Sequence, residues 1–280
     1  MLIKVGFDIA YQLPAPTSAV LMLYIHPSRT SSVKRPERLR VEPKLPLEKF
    51  RDCYGNRCAR LFAPAGRLRI TCDTVVEDSG LPDVVNENAR ECPVHELSPE
   101  ILLFLHNSRY CEVDRLSEIA WDLFGKTQPG WPRVQAICEW VHANLRFDYS
   151  LARATRSAHE TYIERVGVCR DFQHLAMTFC RCLNIPARYV SGYLGDIGVP
   201  PVPYPMDFSA WFETYLDDQW YTFDARHNVP RIGRIVMTRG RDAADVALTT
   251  TYGQHTLEHF RVWTDEVSIA KLVTTAATPT

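Results

Sequence analysis

The sequence predicts a mixed fold in which a β-rich region comes first and a region of helices and further strands follows. Up to about residue 88, apolar residues alternate with less apolar ones, as at Ile3, Val5 and Phe7, which is the pattern of strands. Between residues 98 and 183 the apolar positions recur at three- and four-residue steps, which is the period of helices. Beyond residue 187 the period returns to two. These three observations place the helices between two groups of strands.

The length and the distribution of prolines indicate how the chain is divided. Its 280 residues suffice for one large domain or two ordinary ones. Prolines interrupt the first region too often for long helices, so we expect a small antiparallel sandwich or barrel there. The composition turns polar from residue 89, and Ser98-Pro99-Glu100 is typical of a helix start. We predict a β-rich domain over residues 1–95, a second domain over 96–270 and a flexible tail over 271–280.

Composition and charge exclude several classes of function. Apolar residues make up 46% and charged residues 23%, which is typical of a globular protein. The formal net charge of −1, without a long Lys/Arg run, argues against a nucleic-acid surface. Lys4 and Asp8 interrupt the first apolar stretch, so we expect no secretory signal, and no run is long enough to predict a membrane span. We therefore expect a cytoplasmic protein that acts on peptides or small molecules; no pattern indicates its oligomeric state.

The cysteines predict reduced thiols. Nine of them, an odd number, are scattered through the chain and do not form a disulfide framework. Cys53 and Cys58 with His95 could be considered as zinc ligands, but their spacing matches no paired Cys-x-x-Cys pattern. The sequence therefore predicts neither a metal nor a cofactor.

One thiol stands where a helix is predicted to begin. An apolar stripe follows Cys169 at helical spacing and ends before Asn184-Ile185-Pro186. Upstream, Ser157 and Glu160 have the spacing of a capping box, which predicts a short helix leading to Cys169. At a helix start Cys169 would face free backbone N–H groups and the positive end of the helix dipole, which favour the thiolate. The alternative is a small buried apolar residue.

The second group of strands places a carboxylate near position 209. Period-two patterns flank Asp217-Asp218, which predicts a hairpin with a two-residue turn. In that register position 211 pairs with 224 and position 209 with 226. Ser209 then lies diagonally across from Asp224 on the same face of the sheet.

Arginines near this hairpin have two interpretations. Four of them between Arg231 and Arg241 could bind a substrate carboxylate, but we favour the interpretation that they neutralise Asp242 and Asp245. Glu213 shares the parity of position 211 and is expected to bind a buried arginine such as Arg188. One last strand is predicted from the apolar residues Leu257, Phe260, Val262 and Val267.

Four segments between residues 98 and 228 resemble the transglutaminase-like superfamily of papain-related cysteine enzymes, in its bacterial form. They are Gly167-Val-Cys169-Arg-Asp-Phe, Ile185-Pro-Ala-Arg-Tyr-Val, Ala210-Trp-Phe-Glu-Thr-Tyr-Leu and Trp220-Tyr-Thr-Phe-Asp224. The resemblance implies an α+β fold with the cysteine at the start of a central helix on an antiparallel sheet, preceded by a β-rich domain. It also implies that Cys169 is the nucleophile and Asp224 the orienting carboxylate.

The chain departs from the family at the third catalytic position. Where the family has histidine, this sequence has Ser209, and a hydroxyl has no proton affinity near neutral pH. Another histidine could replace it. His227 follows Asp224 by three residues, but straight strand parity puts it on the wrong face, so a turn or bulge is required. His174, five residues after Cys169, points away from the thiol on a helix and is the weaker candidate.

Two further hypotheses do without a histidine. Cys169 could act as a thiolate held by the helix start and by Arg170 or Arg226, or the domain could be catalytically silent and bind a peptide or protein partner. The preferred prediction is a thiol-dependent hydrolase of amide or peptide bonds that works through an acyl-enzyme. Transfer of the acyl group to an amine would use the same residues. The expected substrate is a peptide or protein amide.

Overall fold

The computed structural model describes residues 1–202 and 206–268, so the tail predicted at 271–280 lies outside the described residues. Five α-helices occur in this part of the chain: α1 Pro99–Leu102, α2 Val113–Phe124, α3 Trp131–Asn144, α4 Ala158–Glu164 and α5 Cys169–Cys182. Its strands are β1 Leu2–Leu13, β2 Thr17–Leu21, β3 Val33–Arg35, β4 Arg40–Glu42, β5 Glu48–Arg51, β6 Arg57–Ala63, β7 Gly66–Glu77, β8 Arg146–Phe147, β9 Val166–Gly167, β10 Ala187–Tyr193, β11 Ser209–Leu216, β12 Gln219–Phe223, β13 Ile235–Gly240, β14 Thr249–Thr251 and β15 Thr256–Val267.

The N-terminal part contains two antiparallel sheets, which confirms the predicted β-rich architecture. One has the order β15-β1-β7-β3, with β4 also paired to β7, and the other has the order β14-β2-β6-β5. Apolar residues on alternate positions of these strands are buried in one common core, among them Phe7, Leu21 and Leu61. The alternation seen in the sequence is therefore the inner face of these sheets.

Two strands from the end of the chain complete the N-terminal sheets. β15 runs antiparallel to β1 from Leu2 opposite Val267 onward, and β14 pairs with β2. The last strand predicted from the apolar pattern is confirmed, whereas its partner was not predicted. The domain limits at residues 95 and 270 stay a prediction. The sheet order adds that β14 and β15, which come from the second predicted domain, belong to the sheets of the first.

The predicted α+β core surrounds α5. The sheet β12-β11-β10-β13 packs on this helix through β10 and β11, and α2, α3 and α4 contact it from other sides. Leu175 and Phe179 of α5 and Phe212 of β11 belong to the same buried cluster. No helix in the two described ranges is long and apolar enough to cross a membrane.

Local sequence signals position the start of α5. The predicted capping box is present at α4, where Ser157 Oγ accepts from the Glu160 N–H and Glu160 Oε2 accepts from the Ser157 N–H. At α5 the carboxylate of Asp171 accepts from the Val168 N–H at 2.9 Å. A side chain at Gly167 would come within 2.6 Å of the Asp171 Cβ atom, so glycine is required there. Cys169 is therefore fixed as the first helical residue.

The predicted hairpin also forms. Asp217 and Asp218 have φ angles of 44° and 59°, as in the two-residue turns that suit the strand twist. Phe212 pairs with Phe223, which is the register that the sequence predicts. The turn therefore determines which residues of β11 lie beside the end of β12.

Candidate active site

Cys169 is half-buried at the start of α5. Burial raises the pKa of its thiol to about 11, from an ordinary value of 9.0. The Arg226 guanidinium lowers this pKa, as does the Arg170 backbone N–H, whereas the carboxylates of Asp207 and Asp224 raise it. The backbone N–H at the helix start favours the thiolate, as expected, but loss of water outweighs it. At neutral pH the thiol keeps its proton and needs a base.

Asp224 follows β12 and is fully enclosed by hydrogen-bond donors. Its Oδ1 accepts from Gln173 Nε2 at 3.0 Å and from the backbone N–H groups of Arg226 and His227. Its Oδ2 accepts from His227 Nδ1 at 2.8 Å and from Arg234 Nη2 at 3.0 Å. Burial raises the pKa of Asp224, whereas the Arg234 charge and the hydrogen bond from His227 lower it. The lowering effects are together the larger, so the pKa of Asp224 lies well below its ordinary value. The carboxylate is therefore ionised and fixed in orientation.

His227 reaches this carboxylate through the turn that the sequence argument required. The Asn228 N–H donates to the Asp224 carbonyl at 2.8 Å, and Asn228 has a φ of 53°. Because an ionised carboxylate accepts hydrogen bonds, Nδ1 of His227 carries a proton, and in the neutral imidazole Nε2 is the acceptor. No residue in the described ranges bonds to Nε2. The imidazole thus has the tautomer that a general base needs.

The link from this pair to Cys169 runs through α5. Gln173 lies four residues after Cys169, so both project from the same face of the helix. Since Gln173 bonds to Asp224, that face is turned towards the end of β12. Within the described part of the chain no hydrogen bond joins Cys169 Sγ to His227 or Ser209.

Ser209 and His227 line one cavity. Ser209 begins β11 opposite Gly192 and is 8% exposed. The cavity has a volume of about 290 Å³ and also includes Tyr149, Asp207 and Arg226 in its walls. Cys169 is not a wall residue, although charges at Asp207 and Arg226 act on its thiol. The structure thus places Ser209 and His227 in the wall of one cavity, and His227 links that wall to Asp224 through its 2.8 Å hydrogen bond.

His174 has a structural role. It is fully buried, its Nε2 accepts from the Ala243 N–H at 3.1 Å, and its ring stacks on Tyr110 at 4.9 Å. Burial lowers the pKa of His174 well below its ordinary value, so the ring is neutral. These contacts agree with its prediction as the weaker replacement.

The arginines bind carboxylates that the sequence indicates only in part. Arg241 pairs with Asp245 at 2.9 Å, as favoured, and Arg188 pairs with Glu213, as expected. The same assignment is wrong for the other three arginines. Arg234 binds Asp224 and Asp83, Arg239 binds Glu213, and the carboxylate near Arg231 is that of Asp196.

Gln173 and Arg234 are the site residues that sequence reasoning missed. The available signals were the helical spacing of Gln173 from Cys169 and the position of Arg234 ten residues after Asp224. Asp83 lies 151 residues before Arg234 and gives no such signal. Over residues 1–202 and 206–268, no three His, Cys, Asp or Glu side chains are grouped as metal ligands are.

Comparisons with known proteins identify the family of this chain. Residues 118–225 match the model of the transglutaminase-like superfamily. The crystal structure of a candidate cysteine protease from Cytophaga hutchinsonii has a TM-score of 0.83 and 32% identity, over 96% of this chain and 91% of that one. An uncharacterised protein of Mycobacterium leprae is 25% identical over 85% of this chain and 87% of its own length. One of Mycobacterium tuberculosis is 27% identical over 75% and 73%.

Proposed function

Because this chain belongs to the transglutaminase-like superfamily, we propose that it is a thiol-dependent amide hydrolase of the cysteine protease type, with Cys169 as nucleophile. The observation that carries the proposal is the 2.8 Å hydrogen bond between His227 Nδ1 and Asp224 Oδ2. This hydrogen bond orients an imidazole near the site, although this chain has Ser209 at the position where the family has its histidine. Gln173 connects the same carboxylate to the helix of Cys169.

Each step can be assigned to a group of this site. His227 Nε2 takes the proton of the Cys169 thiol as the sulfur attacks the amide carbonyl carbon. Backbone N–H groups at the start of α5 stabilise the oxyanion, and the ionised Asp224 stabilises the imidazolium. The imidazolium then protonates the leaving amine as the C–N bond breaks, which leaves a thioester. Water, deprotonated by His227, hydrolyses the thioester to a carboxylic acid and frees the thiol.

This chemistry needs Cys169 and His227 to come closer than in the resting structure. Catalytic hydrogen bonds are often long or absent without substrate and shorten when it binds. His227 can adjust because its side chain is 23% exposed and bordered by the cavity.

The structure disfavours a thiolate held by arginine alone. Arg170 is engaged with the Asp171 carboxylate and with the Arg153 carbonyl, and Arg226 stacks over the Phe147 ring at 3.9 Å. Neither guanidinium overcomes the burial that raises the pKa of the Cys169 thiol to about 11. A base is therefore the simpler route to a nucleophile.

A catalytically silent domain that binds a peptide is the competing proposal. It is supported by Ser209 in place of the family histidine and by the absence, within the described ranges, of a hydrogen bond from Cys169 to His227. The two proposals differ in what Cys169 and His227 contribute to turnover.

The test is the release of fluorescent peptides from labelled casein by the full chain. Cys169→Ala is expected to abolish release, and His227→Gln to lower its rate ~10²–10⁴-fold, the usual loss when a general base is removed. His95→Gln is the matched control, because that side chain is 82% exposed, and it should leave the rate unchanged. A wild-type rate no higher than that of Cys169→Ala would support the silent domain.

Adding an amine to the same reaction separates hydrolysis from acyl transfer. We propose hydrolysis, because water is the abundant acceptor at a thioester next to an open cavity. Labelling of casein by monodansylcadaverine in a Cys169-dependent manner would instead indicate transfer.

A further inference from the structure

A second cavity is bounded in part by Arg234, and it shares Arg231 with the cavity of Ser209 and His227. Its volume is about 360 Å³, and it is bounded by the segment after β7, the β11–β12 hairpin and the start of β13. Its charged wall residues are four arginines and two aspartates: Arg29, Arg231, Arg234, Arg239, Asp78 and Asp83. Neither Cys169 nor His227 lines it. The Cys169 chemistry therefore leaves this cavity without a function.

Two of these arginines are buried and have unused donors. Arg231 is 5% and Arg234 9% exposed. Nε of Arg231 and Nη1 of Arg234 are buried and have no hydrogen-bond partner in residues 1–202 and 206–268. Buried N–H groups without an acceptor cost free energy, so native structures rarely leave them unfilled. Two such groups in the wall of one cavity indicate a place for an acceptor.

The charges around the cavity indicate that the acceptor is singly negative. Arg29 pairs with Asp78 and Arg234 with Asp83, both at 2.9 Å. Arg234 also pairs with Asp224, and Arg239 pairs with Glu213, both at 3.0 Å. Arg231 is less well compensated, because its carboxylate partner Asp196 is 3.8 Å away. Burial is the main cause that lowers the pKa of Arg231; the Arg234 charge lowers it too, whereas the carboxylates of Asp224 and Asp196 raise it. One additional negative charge would pair with Arg231, whose own carboxylate partner is the most distant of the four, whereas a dianion would carry more negative charge than this one guanidinium balances.

The remaining walls indicate an organic ligand. Trp220 and Val236 line the cavity, and Leu81 and Val84 stand at it with 70% and 69% of their surface exposed. Exposed apolar side chains beside a polar cavity are typical of binding sites.

We propose that this cavity is a binding site for an organic monocarboxylate. The carboxylate accepts from Arg231 Nε and Arg234 Nη1, and the apolar part of the ligand lies against Leu81 and Trp220. Arg234 also donates to Asp224, so the ligand would bind one guanidinium away from the proposed catalytic carboxylate. The site does not depend on whether Cys169 is catalytic.

Binding is tested on the full chain by isothermal titration calorimetry with 4-methylpentanoate. Its neutral analogue 4-methylpentan-1-ol and inorganic phosphate serve as comparison ligands. We expect saturable binding of the carboxylate, with the alcohol and phosphate each at least ~10-fold weaker, since a charge-assisted contact exceeds a neutral one. No saturable binding, equal binding of the alcohol or preferential binding of phosphate would overturn the proposal.

A matched pair of surface variants locates the ligand. Leu81→Glu places a negative charge at the mouth of the cavity and is expected to weaken binding at least ~10-fold. Leu257→Glu makes the same change on β15, where the side chain is 52% exposed and away from the cavity walls, and should leave binding unchanged. Unchanged binding in Leu81→Glu, or equal weakening in both, would refute this location. Arg231→Lys, which keeps the charge and removes Nε, should also weaken binding.

Discussion

At the residue scale, the side chains at positions 209 and 227 determine which group takes the proton of the Cys169 thiol. A serine at the family's histidine position would leave Asp224 without an imidazole, yet Oδ2 of Asp224 already accepts from His227 at 2.8 Å and from Arg234 at 3.0 Å. A histidine introduced at position 209 would have to compete for the same oxygen. The serine is therefore compatible with catalysis if His227 is the base.

Exchange of the two positions tests this directly. Ser209→His alone should change casein hydrolysis less than ~10-fold, because the carboxylate already orients an imidazole. Added to His227→Gln, the same substitution should recover at least ~10-fold of the lost rate, since restoring a general base is worth ~10²–10⁴-fold. Initial rates of the single and double variants measure both effects. A large gain from Ser209→His in the wild-type background would mean that the native chain lacks a base.

The thiol of Cys169 should react as a protonated group. Its pKa is raised to about 11 by burial, so at pH 7 the thiolate is the minor form and increases with pH up to that value. Carbamidomethylation of Cys169 by iodoacetamide, followed by peptide mass spectrometry, should therefore accelerate ~10-fold per pH unit from pH 7 to 10. A plateau below pH 8.5 would show that the helix start dominates after all.

At the element scale, α4 delivers the chain to the nucleophile through a cap that the sequence predicts. Ser157 is 5% exposed and makes both capping-box hydrogen bonds with Glu160. Ser157→Ala should lower the free energy of unfolding by ~1 kcal/mol, within a usual range of ~0.5–2 kcal/mol. Urea denaturation measures the change. Ser31→Ala, at an exposed position, is the control and should shift the midpoint little; an equal shift would refute the assigned role of the cap.

Elements that have local sequence signals were predicted. The turn after Asp224 was inferred only because His227 could not reach the carboxylate without it. The start of α5 and the turn at Asp217-Asp218 depend on neighbouring residues, so their signals are readable. The bend after Asp224 is set by Asn228 in a left-handed conformation, which asparagine allows but does not require. The contact of Gln173 with Asp224 joins α5 to the end of β12 and has no periodicity of its own.

At the scale of the whole molecule, the N-terminal sheet depends on the end of the chain. β15 covers one edge of β1 along nearly its full length, and its Val262 and Thr264 are buried. The alternation in β15 predicts a strand, but nothing local to it identifies a partner some 250 residues earlier. Which distant strands pair depends on how their side chains pack together in the core. The pattern of one strand in the sequence does not contain that information.

Truncation tests the contribution of β15. A chain that ends at residue 254 loses this strand and should unfold at a much lower temperature, or without a cooperative transition, because β1 gains an open edge and part of its core is exposed. A chain that ends at residue 268 keeps every described strand and is the control. Thermal unfolding followed by circular dichroism distinguishes them. Equal melting temperatures would show that β15 adds little to the fold.

The pairing of β1 with β15 also has a consequence during synthesis. At ~5–20 residues per second, β1 leaves the ribosome well before the strand that flanks it, and non-local β pairing is slow to form. In the nascent chain, β1 therefore has an unpaired edge until β15 has emerged. Synthesis of β15 becomes the step that permits the native pairing of β1, and a chaperone that shields β1 would have its largest effect before that moment.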